Sequence, residues 1–186
     1  MSSKPPAPSE FEIKVLVLAC GHGDTVLVRL PSTTRSASWC LIDCNLKKSD
    51  GTLDKFFKLV EKHKITHLSY IFQTHPDHDH FLGMDRVLEH FTTGGRSVGV
   101  YCDTGCPQQV LGWLHQGPGY RSYGQLQELV ARLAREKKIE IFEISDQHLD
   151  IPVNGYPTIK FIPLAPNVTQ KRVDMAAGLP RLARSP

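Results

Sequence analysis

Apolar positions follow period two near the start of the chain and period 3.6 further on. Over Phe11–Ala19, Ile13, Val15 and Val17 fall on one side of a pleat, which predicts a strand. Gly21-His22-Gly23-Asp24 is a turn signal, and Thr25–Leu30 reads as a second strand, so the two form a hairpin. Pro31–Ser38 reads as a loop and Trp39–Asp43 as a third strand. Leu53, Phe56, Phe57 and Val60 then make a helical stripe, with Thr52 as its N-cap. Leu68–Gln73 is a short apolar strand. Met84, Val87, Leu88 and Phe91 repeat the helical spacing up to Gly94-Gly95, and Ser97–Tyr101 is a further strand. Cys102–Ser122 carries no clean period. Gln125–Lys138 predicts a helix on Leu126, Leu129, Val130 and Leu133, with Ser122 or Tyr123 near its cap. Glu140–Ile144 and Thr158–Pro163 read as strands.

Hairpin strands followed by alternating helices and strands predict a layered α/β or α+β sheet domain. The flanks differ in composition. Residues 1–10 are rich in Pro and Ser and read as a flexible N-terminus, and residues 168–186 read as a basic, disordered tail.

At 186 residues the chain has the length of one domain, and 40% hydrophobic with 22% charged residues is ordinary globular usage. A disordered chain, a collagen-like chain and a coiled coil are thereby excluded. The apolar runs are far shorter than the ~20 residues of a membrane span, and no secretory signal is evident, so a cytoplasmic location is expected. The formal net charge is +3, and Lys171, Arg172, Arg181 and Arg184 against Asp174 account for it. The rest of the chain sums to zero, so the basic balance does not indicate a nucleic-acid surface. Five cysteines in such a chain read as reduced thiols.

Candidate chemistry is concentrated directly after the strand at residues 68–73. His75, His78 and His80 lie within six residues, with Asp77 and Asp79 between them. An H-x-D-x-D-H string arises by chance in about one in 700 chains of this composition. Imidazole nitrogen and carboxylate oxygen together suit borderline and harder divalent ions. If the segment stays extended, His75, Asp77 and Asp79 share one face and His80 points elsewhere, so one loop could serve two metal positions. The bland alternative is a solvated turn in which Asp77 or Asp79 caps the next helix. That role needs one carboxylate and leaves the other donors unexplained.

Tyr70–Gly83 (YIFQTHPDHDHFLG) resembles the metal-binding motif of the metallo-β-lactamase fold, with Asp77 where the second histidine is usual. The H-x-D-x-D-H form is similar to the hydrolase domain of bacterial competence DNA-uptake proteins. Cys20–Pro31 (CGHGDTVLVRLP), Leu41–Asn45 (LIDCN) and Phe161–Asn167 (FIPLAPN) resemble other parts of that fold. The resemblance implies an αββα sandwich over residues 11–167, present as its first half and part of its second. It implies one or two divalent ions, zinc with manganese or iron as alternatives. His75 and Asp77 would belong to the first position, Asp79 and His80 to the second, with Asp43 behind them. It further implies a metal-bound hydroxide as nucleophile, oriented by Asp79 or Asp77, and a phosphoester substrate, either a small molecule or a nucleotide or nucleic acid.

The family's bridging Asp and late His have no counterpart after Asn167, where Asp174 stands without a strand signal and no histidine follows His148. The expectation is a metallo-hydrolase domain that is C-terminally truncated. The alternative is an inactive domain that binds a metal or a partner. An open sheet edge would favour a homodimer, and no membrane partner is expected. Among the remaining histidines, His22, His115 and His148 are weighed as further ligands against solvated side chains, and His78 is expected to face solvent or substrate. Cys40/Cys44 and Cys102/Cys106 share C-x3-C spacing but read as buried or free thiols rather than a zinc site. The 102–122 loop, with Trp113, His115, Tyr120 and Arg121, reads as a lid or as packing over the sheet.

Overall fold

The computed structural model describes residues 12–21, 23–31, 38–74, 76–103, 118–143, 151–153 and 156–161. The predicted N-terminus 1–10 and tail 168–186 lie outside the described residues. So do His22, His75, His115, His148, Cys106, Trp113, Asp174 and the strand-end residues 162–167.

The predicted hairpin is present. Strands β1 (Lys14–Ala19) and β2 (Asp24–Leu30) pair antiparallel with Val15 opposite Val28, and β2 pairs antiparallel with β3 (Ser38–Ile42). The third strand stops one residue earlier than expected. Asp43 takes a left-handed backbone with φ 53°, and a two-residue strand β4 (Cys44–Asn45) follows it. Helix α1 (Thr52–Lys62) buries Phe56 and Val60 as its stripe predicts. Thr52 is not its N-cap. Gly51 holds that position, and the Thr52 N–H donates instead to Asp50 Oδ1 at 2.9 Å.

Strand β5 (His67–Gln73) pairs parallel with β3, and after it come the single-turn helix α2 (His78–Phe81) and helix α3 (Met84–Phe91). Met84, Val87, Leu88 and Phe91 are all buried. Strand β6 (Ser97–Asp103) runs two residues further than its apolar pattern and pairs parallel with β5. Helix α4 (Pro118–Arg135) begins well before the predicted start, so Ser122 and Tyr123 lie inside it rather than at its cap. Strand β7 (Glu140–Glu143) pairs parallel with β6. A separate antiparallel pair, β8 (Ile151–Val153) and β9 (Tyr156–Phe161), includes one strand the sequence pattern did not suggest.

The main sheet is therefore mixed, in the order β1-β2-β3-β5-β6-β7. Crossovers of one hand between strands added in one direction place their helices on one face. Accordingly Phe56, Val60, Met84, Leu88, Leu126 and Val130 share a core with Leu27, Leu41, Ile71 and Tyr101. The opposite face is apolar as well, with Leu30, Cys40, Phe72 and Cys102 buried among Val28, Ile42, Tyr70, Val100 and Phe142. Sheets apolar on both faces are built to be covered on both. Edge strand β1 leaves Val15 and Val17 more than half exposed, as is Ile13 just before it. Among the described residues no helix is long and apolar enough to cross a membrane.

His90 near the end of α3 is expected to make the fold sensitive to acid. Its ring lies 4.5 Å from that of Phe57, and its Nε2 is buried without a hydrogen-bond partner among the described residues. Burial, aided by Arg96 and opposed by Glu61, lowers its pKa below the usual 6.5. The unfolded chain therefore takes up this proton first. Stability is full above the unfolded value and is lost as pH falls below it toward the folded value. His63 and His67, also lowered by burial, act in the same sense. The melting temperature is expected to drop between about pH 7.5 and 5.5. His90→Leu should show a smaller drop, and an unchanged drop would refute this role.

Candidate metal centre

The site begins where β3 ends. Asp43 is 5% exposed, and its N–H still donates to Phe72 O at 2.8 Å, which keeps the turned backbone on the sheet. Asp is among the few residues that tolerate a left-handed backbone, and here that turn aims the carboxylate at the end of β5. Thr74 N–H donates to Oδ1 at 2.8 Å, and the Thr74 hydroxyl donates to Oδ2 at 2.7 Å. His80 Nδ1 donates to the same Oδ2 at 2.8 Å. Three donors thus fix one buried carboxylate.

That arrangement sets the tautomer of His80. The carboxylate accepts from the ring, so Nδ1 carries a proton, and in the neutral form of the ring the lone pair falls on Nε2. His80 Nε2 lies 3.8 Å from Asp79 Oδ2. Two ligand bonds of about 2.1 Å to a common ion span such a separation. A carboxylate behind a histidine, fixing its tautomer and raising its basicity, is the usual support of a metal-ligating imidazole.

The loop is extended only as far as Asp77 (φ −74°, ψ 145°), and the turn of α2 starts at His78. The shared extended face expected for His75, Asp77 and Asp79 therefore ends at Asp77. Asp79 sits in a helical turn, beside His80 rather than pointing away from it. Asp77 occupies the N-cap position of α2 but makes no side-chain capping bond, so the bland capping role is not realised there. His78 lays its ring edge-on to Phe81, at 5.4 Å between centroids.

Two neighbouring segments hold α2 in place. Cys44 and Asn45 bridge to Phe81 and Leu82, and Leu46 N–H donates to Leu82 O at 2.8 Å. On the other side the β1–β2 turn presses on Asp79. A Cβ on Gly23 would stand 2.4 Å from Asp79 O and 2.8 Å from Asn45 Nδ2, and Gly23 has φ 89°. Thr25 Oγ1 accepts the Asn45 N–H at 2.8 Å, and Asn45 Nδ2 donates to Cys20 O at 3.4 Å. Thr25, Asn45, Thr74 and Gly23 were not recognised as site residues from sequence, because their roles depend on segments that meet only in the fold.

The cysteines stand apart from this chemistry. Cys20, Cys40, Cys44 and Cys102 are buried and not joined in disulfides. Cys40 lies on the face away from the helices and Cys44 in the helix-side core, so their C-x3-C spacing does not converge. Burial raises the Cys40, Cys44 and Cys102 thiols well above their usual range, against the thiolate a metal needs.

Asp43, His80 and Asp79 are thus linked side chain to side chain, Asp77 opens the same turn, and His75 falls outside the described residues. Among the described residues no group of three His, Cys, Asp or Glu side chains is placed to hold an ion. Set against family models, curated proteins and solved structures, the chain matches none of them.

Proposed function

We propose that this chain is a metal-dependent hydrolase domain of the metallo-β-lactamase type, acting on a phosphoester. The observation that carries this reading is the Asp43–His80 pair. A buried, triply bonded carboxylate holds a histidine with its basic nitrogen beside a second carboxylate, Asp79. Such support is what a metal-ligating histidine needs, and it favours that reading over a solvated turn. It also stands at the carboxyl end of a parallel strand, where open α/β sheets place their ligands. In this reading the apolar face away from the helices is the inner face of an αββα sandwich.

His75, Asp77, Asp79 and His80 would hold one or two divalent ions, zinc with manganese or iron as alternatives. When bound, such an ion supplies Lewis acidity and a water acidic enough to attack at neutral pH. Asp43 fixes the His80 ring and keeps its proton on Nδ1. Asp79 and Asp77 are acceptors able to orient an attacking water.

The test is hydrolysis of phosphodiesters with added Mn2+ or Zn2+. Turnover that His75→Ala and Asp79→Ala each lower at least about 100-fold supports the reading. Absence of turnover with every metal, while the variants bind the same partners as the parent chain, points instead to a binding domain without catalysis.

A further inference from the structure

Helix α2 is a single turn, too short to hold its own conformation in water, because forming a first helical turn is unfavourable. Its geometry must be imposed from outside. One support is the β4 bridge and another is the β1–β2 turn. A third comes from α4. The Phe81 side chain, 4% exposed, meets the Tyr123 ring at 5.2 Å between centroids. Tyr123 is itself buried, and its hydroxyl donates to Asp103 Oδ2 at 3.4 Å. Gln127 Nε2 donates to the same oxygen at 3.1 Å. Tyr123 and Gln127 stand four residues apart, on one face of α4. Asp103 is the last residue of β6 and lies opposite Gln73, the last residue of β5. Thr74, which holds Asp43, follows immediately.

We propose that Asp103, Tyr123 and Gln127 are positioning residues: the β6-end carboxylate fixes α4 so that Tyr123 presses Phe81 and sets the α2 turn carrying Asp79 and His80. Two donors on one helix face, gripping one carboxylate, resist both sliding and rotation of α4. The Tyr123 ring transmits that constraint to the loop. Asp103 thereby contributes at a distance from any metal, through ring packing. Only the second readout below rests on the metal-site reading.

The first readout is hydrogen exchange of residues 78–82 in metal-free protein. Asp103→Ala is expected to speed exchange there about tenfold relative to β2 and β3. Asp103→Asn, whose carbonyl oxygen can accept from both donors, should restore the parent rate. Tyr123→Phe keeps the ring and should give an intermediate rate. Leu133→Ala, in the same helix but outside this contact, is the control for general loss of stability. If residues 78–82 exchange no faster in Asp103→Ala than in Leu133→Ala at an equal drop in melting temperature, the proposal is overturned. The second readout is the visible absorption of bound Co2+, where Asp103→Ala should weaken binding about tenfold and alter the band shape. A parent chain that takes up no Co2+ would defeat the metal reading and leave the exchange result to decide this one.

Discussion

Asp43→Asn will leave the chain folded and weaken divalent-metal uptake at least about tenfold. The amide is nearly isosteric, and Asn accepts the left-handed backbone at this position. Its single oxygen can serve the Thr74 N–H, as Oδ1 does now. The NH2 group then faces the Thr74 hydroxyl and His80. A hydroxyl can rotate and accept, but the imidazole must accept at Nδ1, which moves its proton to Nε2. The lone pair needed for a metal is lost from that nitrogen, at a stability cost of only about 1–2 kcal/mol. Asp43→Ala is the contrast. It leaves three donors without their acceptor and should cost about 3–5 kcal/mol, roughly 10 °C in melting temperature. Metal titration by calorimetry beside thermal unfolding separates the two. Affinity unchanged in Asp43→Asn would show that His80 is not held as a ligand.

Gly23→Ala should be the most damaging single methyl in the site. The added carbon would stand 2.4 Å from a backbone oxygen of the α2 turn, and that oxygen is not the far end of a flexible side chain. The turn must move away from Asp79, or Asp79 must move. Gly21, two residues earlier, has φ 81° and open space around its own Cβ position. Gly21→Ala therefore bears only the backbone cost of about 1 kcal/mol, whereas Gly23→Ala should cost about 2–4 kcal/mol. The melting temperatures of the two variants should differ by roughly 4–8 °C. Metal affinity should fall in Gly23→Ala alone. Equal behaviour of the two would mean that the β1–β2 turn does not support the site.

The helices α1 and α3 were legible because each carries a full amphipathic stripe, and the β1–β2 hairpin because its strands flank a glycine turn. Helix α4 began earlier than its stripe, since Gly119 and Gly124 weaken the local signal, and Pro118 at its first position was the clue to its true start. The α2 turn, which ends the extended path at His78, has no signal in the sequence. Four residues hold no period of their own, and their conformation is set by β4, Gly23 and Tyr123. The metal cluster stood out as a string of residue types. Of its support only Asp43 was placed beforehand, through the family resemblance; Thr74 and Asp103 join it only once three parallel strands end side by side. The left-handed Asp43 is likewise a product of its partners, with no signature among its sequence neighbours.

The most direct measurement is the metal content per chain of freshly purified protein, beside the His75→Ala/Asp77→Ala variant. The account predicts about one or two ions in the parent chain, absent from a variant whose circular dichroism is unchanged. A folded parent chain that carries no metal and takes up neither added Zn2+ nor Mn2+ would contradict it.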